Sequence, residues 1–111
     1  MITYLNSEKI NNLCNEIGHD YLPTLLDIFL SELREYQLVI NSGEDLQRNL
    51  SDISHALKSS AASFGADDLC DVAKQIDAIS KTGQPVSTEY YQNLILTSLQ
   101  ATITAYEGLL S

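Results

Sequence analysis

The chain has 111 residues, 44% of them hydrophobic, with only two prolines and five glycines. That suffices for one compact domain with its own core, is too little for separate catalytic and regulatory domains, and argues against a linker or low-complexity segment. Fifteen acidic against six basic residues give a formal net charge of −9, which repels nucleic-acid phosphates and anionic membrane surfaces, so direct DNA binding is disfavoured.

No stretch approaches the roughly 20 apolar residues needed to span a bilayer. The first residues, Met1 to Asn6, lack the basic-then-apolar order of a secretion signal, so the expected compartment is the cytoplasm, without membrane insertion. Cys14 and Cys70 belong to no C-x-x-C or other metal-ligand spacing and are expected to be reduced and structural.

Helix-period patterns dominate, with no sustained period-2 alternation, hairpin signal or internal repeat. A short first helix fits Ser7 to Ile17, capped by Asn6 or Ser7 and stopped by Gly18. A second starts at Asp20 with Pro23 in its first turn and carries Leu22, Leu26, Phe29, Leu33, Tyr36 and Ile40 at three- and four-residue spacing. Asn41-Ser42-Gly43 is the turn after it. A third runs from about Glu44 to Phe64 with Leu46, Leu50, Ile53, Leu57, Ser60, Ala61 and Phe64 as its buried stripe, and Gly65 stops it.

Asp67 and Asp68 open a fourth helix, where acidic residues suit the helix dipole, and it ends near Lys81. After the Thr82-Gly83-Gln84-Pro85 loop, Ser87 or Thr88 can cap a last helix that buries Leu94, Ile95, Leu99, Ile103 and Tyr106. Connections this short make neighbouring helices antiparallel. The fold class is therefore all-α, an antiparallel up-down four-helix bundle with a short additional N-terminal helix, and residues 1–111 are read as a single domain.

The two histidines sit differently. His19 lies in a Gly-His-Asp turn, whereas His55 lies in the middle of the third helix, off its apolar stripe and on the face of Ser51, Asp52, Lys58, Ser59 and Ala62. Helix side chains lean toward the N-terminus, so Lys58 and Ser59 overhang the imidazole. Ser59 is small and Ala62 extends the same low strip, which leaves the ring open to a flat partner surface. A histidine ring is largely neutral near neutral pH, and one of its nitrogens then offers a lone pair able to attack phosphorus. Lys58 supplies a cation within reach of an anion attached there, and Asp52 is a candidate for orienting the ring or pairing with Lys58.

The chain has no G-x-x-x-x-G-K-[ST] loop, no glycine-rich lid and no carboxylate cluster placed to hold Mg²⁺. Arg34, Arg48, Lys74 and Lys81 read as surface charges, some of them able to meet an acidic partner rim. A metal or haem site is a poor fit, because the two histidines are far apart and no Glu-x-x-His pair is present.

The run from His55 to Ala66, His-Ala-Leu-Lys-Ser-Ser-Ala-Ala-Ser-Phe-Gly-Ala, resembles the signature of histidine-containing phosphotransfer (HPt) domains: His-x-Leu-Lys, small residues, then a Gly-Ala helix end. Glu16-Ile17-Gly18 and Leu25 to Leu30 extend the resemblance, toward the quorum-sensing branch of that family. The family commonly has glycine where Ser59 stands. The resemblance implies a phosphoprotein of two-component phosphorelays, with His55 as phosphoacceptor, Lys58 and Ser59 around the phosphoryl group, and Ser51, Asp52 and Ala62 on the docking surface. It also implies a stoichiometric carrier rather than an enzyme, expected to be monomeric. Its partners would be the receiver domain of a membrane hybrid sensor kinase and that of a DNA-binding response regulator, with Mg²⁺ bound by the partner and no cofactor on this chain. The competing reading is a helical bundle that binds a receiver without carrying phosphate.

Overall fold

A computed structural model describes residues 2–111. Met1, the first residue of the N-terminal stretch considered above, lies outside them. Five helices follow in order: α1 (Ser7–Ile17), α2 (Leu22–Ser42), α3 (Leu46–Phe64), α4 (Asp67–Lys81) and α5 (Glu89–Leu110). α2 packs against α3 and α5, and α4 packs against the same two helices, which closes a four-helix ring. α1 lies across α2 and α3. No described helix is long and apolar enough to cross a membrane.

Most helix ends follow the expected chemistry. Asn6 caps α1 by accepting from the Lys9 amide at 3.2 Å, and Thr88 caps α5 by accepting from the Tyr91 amide at 3.3 Å. Two starts differ from the sequence expectation. α2 begins at Leu22 rather than Asp20, with Tyr21 at the cap position and Pro23 in the first turn. α3 begins at Leu46 rather than Glu44, because Asp45 takes the left-handed conformation (φ 45°) and the Glu44 carbonyl accepts from the Asn49 side chain at 2.8 Å.

The core is one continuous cluster. Leu26, Phe29 and Leu33 of α2 meet Leu50, Leu57 and Ala61 of α3, Ala73 and Ile76 of α4, and Leu99 and Tyr106 of α5. Phe29 stacks on Phe64 at 4.4 Å between centroids and meets Tyr106 edge-on at 5.4 Å. The buried Tyr106 hydroxyl donates to the Phe64 carbonyl at 2.6 Å, which satisfies an orphan acceptor at the end of α3. Ser60, expected in the buried stripe, is only half-buried because its hydroxyl turns to Glu32 of α2 at 3.0 Å. Ser54 takes a fully buried place instead.

The turn between α3 and α4 is tied to the N-terminal segment. The Asn6 amide donates to the Gly65 carbonyl at 2.7 Å, and the Asp68 amide donates to the Thr3 carbonyl at 2.8 Å. Gly65 has φ 78°, and a Cβ there would lie 3.0 Å from the Asn6 carbonyl oxygen and 3.1 Å from Lys9 Cβ. It therefore answers both a left-handed backbone and a close approach. Gly43 has φ 72° with open space around it. Urea denaturation should accordingly separate the two alanine variants: Gly43→Ala costs about 1 kcal/mol for the backbone alone, and Gly65→Ala about 2 kcal/mol or more because α1 must also shift.

Candidate functional site

α3 has two faces with different tasks. Leu50, Ile53, Leu57 and Ala61 are buried and fix the helix's rotation, which turns His55, Ser59 and Ala62 outward. The His55 side chain keeps 68% of its exposure. At the far end of the strip, Ala62 and Ser63 share a shallow depression with Asn12, Leu13 and Glu16 of α1. Ring, small residues and α1 edge thus form one open surface.

The ring is not held by Asp52. That residue is exposed and lies 3.8 Å from Arg48 on its own helix. The carboxylate beside His55 is Asp77 of α4, whose side chain is only 7% exposed. Its Oδ1 lies 3.3 Å from His55 Nδ1, and its Oδ2 accepts from Lys58 Nζ at 2.7 Å and from Lys81 Nζ at 2.9 Å. Lys58 therefore turns across to α4 instead of standing over the ring, and Lys81, read from the sequence as a surface charge, joins the cluster. Ser51, expected on the open face, is half-buried and shares a hydrogen bond with Ser80 of α4.

The Lys58 ammonium, followed by that of Lys81, holds the Asp77 carboxyl far below the usual carboxylate range. Burial pulls the other way, and the His55 ring adds a smaller lowering. The same contact with Asp77 raises Lys81. The cluster is two cations and one anion around an imidazole, in a chain whose net charge is otherwise strongly negative. His55 Nε2 has no hydrogen-bond partner among the described residues, so the ring offers one engaged nitrogen and one free nitrogen.

The remaining candidates lie elsewhere. Arg34 pairs with Glu107 at 2.7 Å and Lys74 is exposed. His19 Nδ1 sits 3.1 Å from the buried Cys14 thiol at the end of α1, and Cys70 is a second buried free thiol. Among the described residues no group of three or more His, Cys, Asp or Glu side chains is placed to hold a metal ion.

Asp77 was missed in sequence because it is 22 residues from His55 and looks like one more acidic residue in an acidic chain. A signal was present all the same. Asp77 falls four residues after the buried Ala73 and next to the buried Ile76, on the inner stripe of α4, where an unpaired carboxylate would be costly.

The lowered Asp77 carboxyl has a consequence for stability. A group whose folded pKa lies below its unfolded value near 3.9 contributes stability above that value and loses it as pH falls toward the folded pKa. In urea titrations the stability gap between the wild type and Asp77→Asn should be largest at neutral pH and narrow progressively below about pH 4. A gap that stays constant from pH 7 to pH 2.5 contradicts the pairing.

Residues 24–105 match the Hpt domain family. Over 111 residues, covering 98% of both chains, the protein is 42% identical to the phosphorelay protein LuxU of Vibrio cholerae serotype O1. It is 47% identical over 104 residues to LuxU of Vibrio vulnificus, covering 92% of this chain and 90% of that one. With LuxU of Vibrio harveyi the identity is 46% over 106 residues, covering 94% and 93%. No solved structure is a significant match. A five-helix bundle with an open mid-helix histidine, matched across most of its length, belongs to the Hpt domain family, the histidine phosphotransfer domains of phosphorelays.

Proposed function

We propose that the chain is a phosphorelay carrier that takes a phosphoryl group onto His55 from the receiver-domain aspartate of a membrane hybrid sensor kinase. It then passes the group to the receiver aspartate of a DNA-binding response regulator. The similarity to LuxU proteins supports a quorum-sensing relay. The single observation that carries the assignment to His55 is the uncovered imidazole, 68% exposed at mid-helix with an unpartnered Nε2.

The chemistry needs little from this chain beyond that nitrogen. The Nε2 lone pair attacks the phosphorus of an aspartyl phosphate; the N–P bond forms as the P–O bond breaks, and the electron pair leaves with the partner's carboxylate. The reverse step returns the group to a second aspartate. Mg²⁺ would be held by the partner receiver, and ATP would be consumed by the kinase. We read residues 1–111 as a single, monomeric HPt domain working in the cytoplasm, where receiver domains are found.

Lys58 and Lys81 are the cations nearest the ring, and they can share the charge of the phosphoryl oxygens. Exposed pairs of this kind contribute only about 0.2–1 kcal/mol, so they assist rather than decide. Ser59 and Ala62 matter for access: with no bulk above the ring, a partner's active-site cleft can close over it. The half-buried Ser51 and the exposed Asp52 and Ala62 would then form part of the contact.

Incubation with a phosphorylated receiver domain and Mg²⁺ should give acid-labile, alkali-stable phosphate on the wild type and none on His55→Gln. Labelling that persists in His55→Gln rejects the assignment. Tight receiver binding without any transfer in the wild type would favour the purely interacting bundle. Ser59→Leu, placed on the exposed side of α3, should leave thermal stability within about 0.5 kcal/mol while slowing transfer at least tenfold by covering the ring.

A further inference from the structure

We infer that the groove between the N-terminal segment, α4 and α5 is a docking site for a basic amphipathic helix of a partner protein, on the side of α4 turned away from His55. The docking itself does not depend on the reading of His55 as the phosphoryl carrier, whereas its use to a relay rests on that reading.

The groove has a volume of about 370 Å³, and its wall is mainly apolar, from Ile2, Tyr4, Val72, Tyr90 and Leu94. Ile2 is 64% and Tyr90 63% exposed, so two of the large hydrophobic side chains left in water converge on this one place. A second depression shares Ile2 and Asp68 with the groove and continues onto Asp67 and Asp71. Lys9 answers Asp67 at 2.9 Å, and Asp68 uses one oxygen to accept from the Ser98 hydroxyl at 2.6 Å. Among the described residues neither Asp68 nor Asp71 is in an ion pair. α5 contains no lysine or arginine, and Glu89 stands next to Tyr90.

An apolar floor with an acidic rim selects its occupant. Nucleic acid and anionic lipid are repelled by Asp68 and Asp71, and a second copy of the chain would bring another net charge of −9. A helix with one apolar face and flanking lysines or arginines satisfies both parts, with its apolar anchors in the groove and its cations on the two carboxylates. The length also suits a helix. The α5 wall from Tyr90 to Ser98 spans about 12 Å, close to the roughly 10 Å that separates anchors at i and i+7. Asp68 lies nine residues before Asp77, about two and a half turns, so the groove and the His55 surface fall on opposite sides of α4. A partner held in the groove therefore leaves the ring free for a receiver domain. On the carrier reading, such a tether keeps the chain close to one relay partner while its histidine is presented to receivers.

The probe is a synthetic helical peptide of leucine and lysine, about four turns long, with leucine confined to one face. Its control has the same composition scrambled so that the two residue types no longer segregate. In ¹⁵N–¹H spectra of the full chain, the segregated peptide should shift Tyr4, Val72, Tyr90 and Leu94 and bind about tenfold more tightly than the control. Tyr90→Ser and Asp71→Lys, both at exposed positions, should each weaken it about tenfold, and transfer to His55 with the peptide bound should stay within about twofold of the free chain. Equal binding of the scrambled control reduces the effect to net charge and overturns the inference, as do shifts centred on Ser59 and Ala62 instead of the groove. A Tyr90-dependent dimer in sedimentation equilibrium, without peptide binding, assigns the groove to a second copy and overturns it too. Groove binding by a chain that never labels at His55 would support the docking site and reject the carrier reading alone.

Discussion

Asp77 occupies a position on the inner stripe of α4 where an apolar side chain would be expected, and a carboxylate taken so far out of water costs several kcal/mol unless donors replace the lost hydration. Two ammonium groups and an imidazole do so, from both sides of the α3–α4 interface. The arrangement ties the register of two antiparallel helices to the orientation of one exposed ring. Sliding α4 by a turn would strand the carboxylate and release the ring together. Packing and chemistry therefore share a single constraint at this interface.

The rest of the bundle serves that interface. α3 must be rotationally fixed for one histidine to face outward, and the buried Leu50, Leu57 and Ala61 fix it. Gly65 lets the chain reverse immediately after the small-residue strip while the N-terminal segment docks on the turn, which sets α1 beside Ala62 and Ser63. What emerges is a platform that presents one uncovered imidazole, which on the proposed reading serves as a weak nucleophile toward a phosphoryl group activated by the partner. A carrier of this kind gains nothing from a deep pocket of its own, since the partner's active site must close directly on the ring.

The sequence carried the helices well because each has a strong apolar period and most have recognisable caps. It erred where a local choice opposed the period. Asp45 adopts a left-handed conformation and delays α3, and Ser60 trades its place in the core for a hydrogen bond to Glu32. His55, Ser59 and Ala62 were legible because helical periodicity alone sets which face they share. The partner of the ring was not, since Asp52 and Asp77 are equally acidic in the string and only the packing of α4 on α3 decides between them. Lys81 was lost for the same reason: its role follows from Asp77 four residues earlier. Neighbours within a helix can be read from spacing, whereas neighbours across an interface depend on register.

The most direct measurement is the ³¹P–¹⁵N spectrum of the phosphorylated chain with ¹⁵N-labelled histidine. Coupling of phosphorus to Nε2 of His55, with hydrogen retained on Nδ1, is the expected result. Phosphorus on Nδ1 of His55, or on either nitrogen of His19, would contradict the assignment of the outward nitrogen of His55 as the carrier.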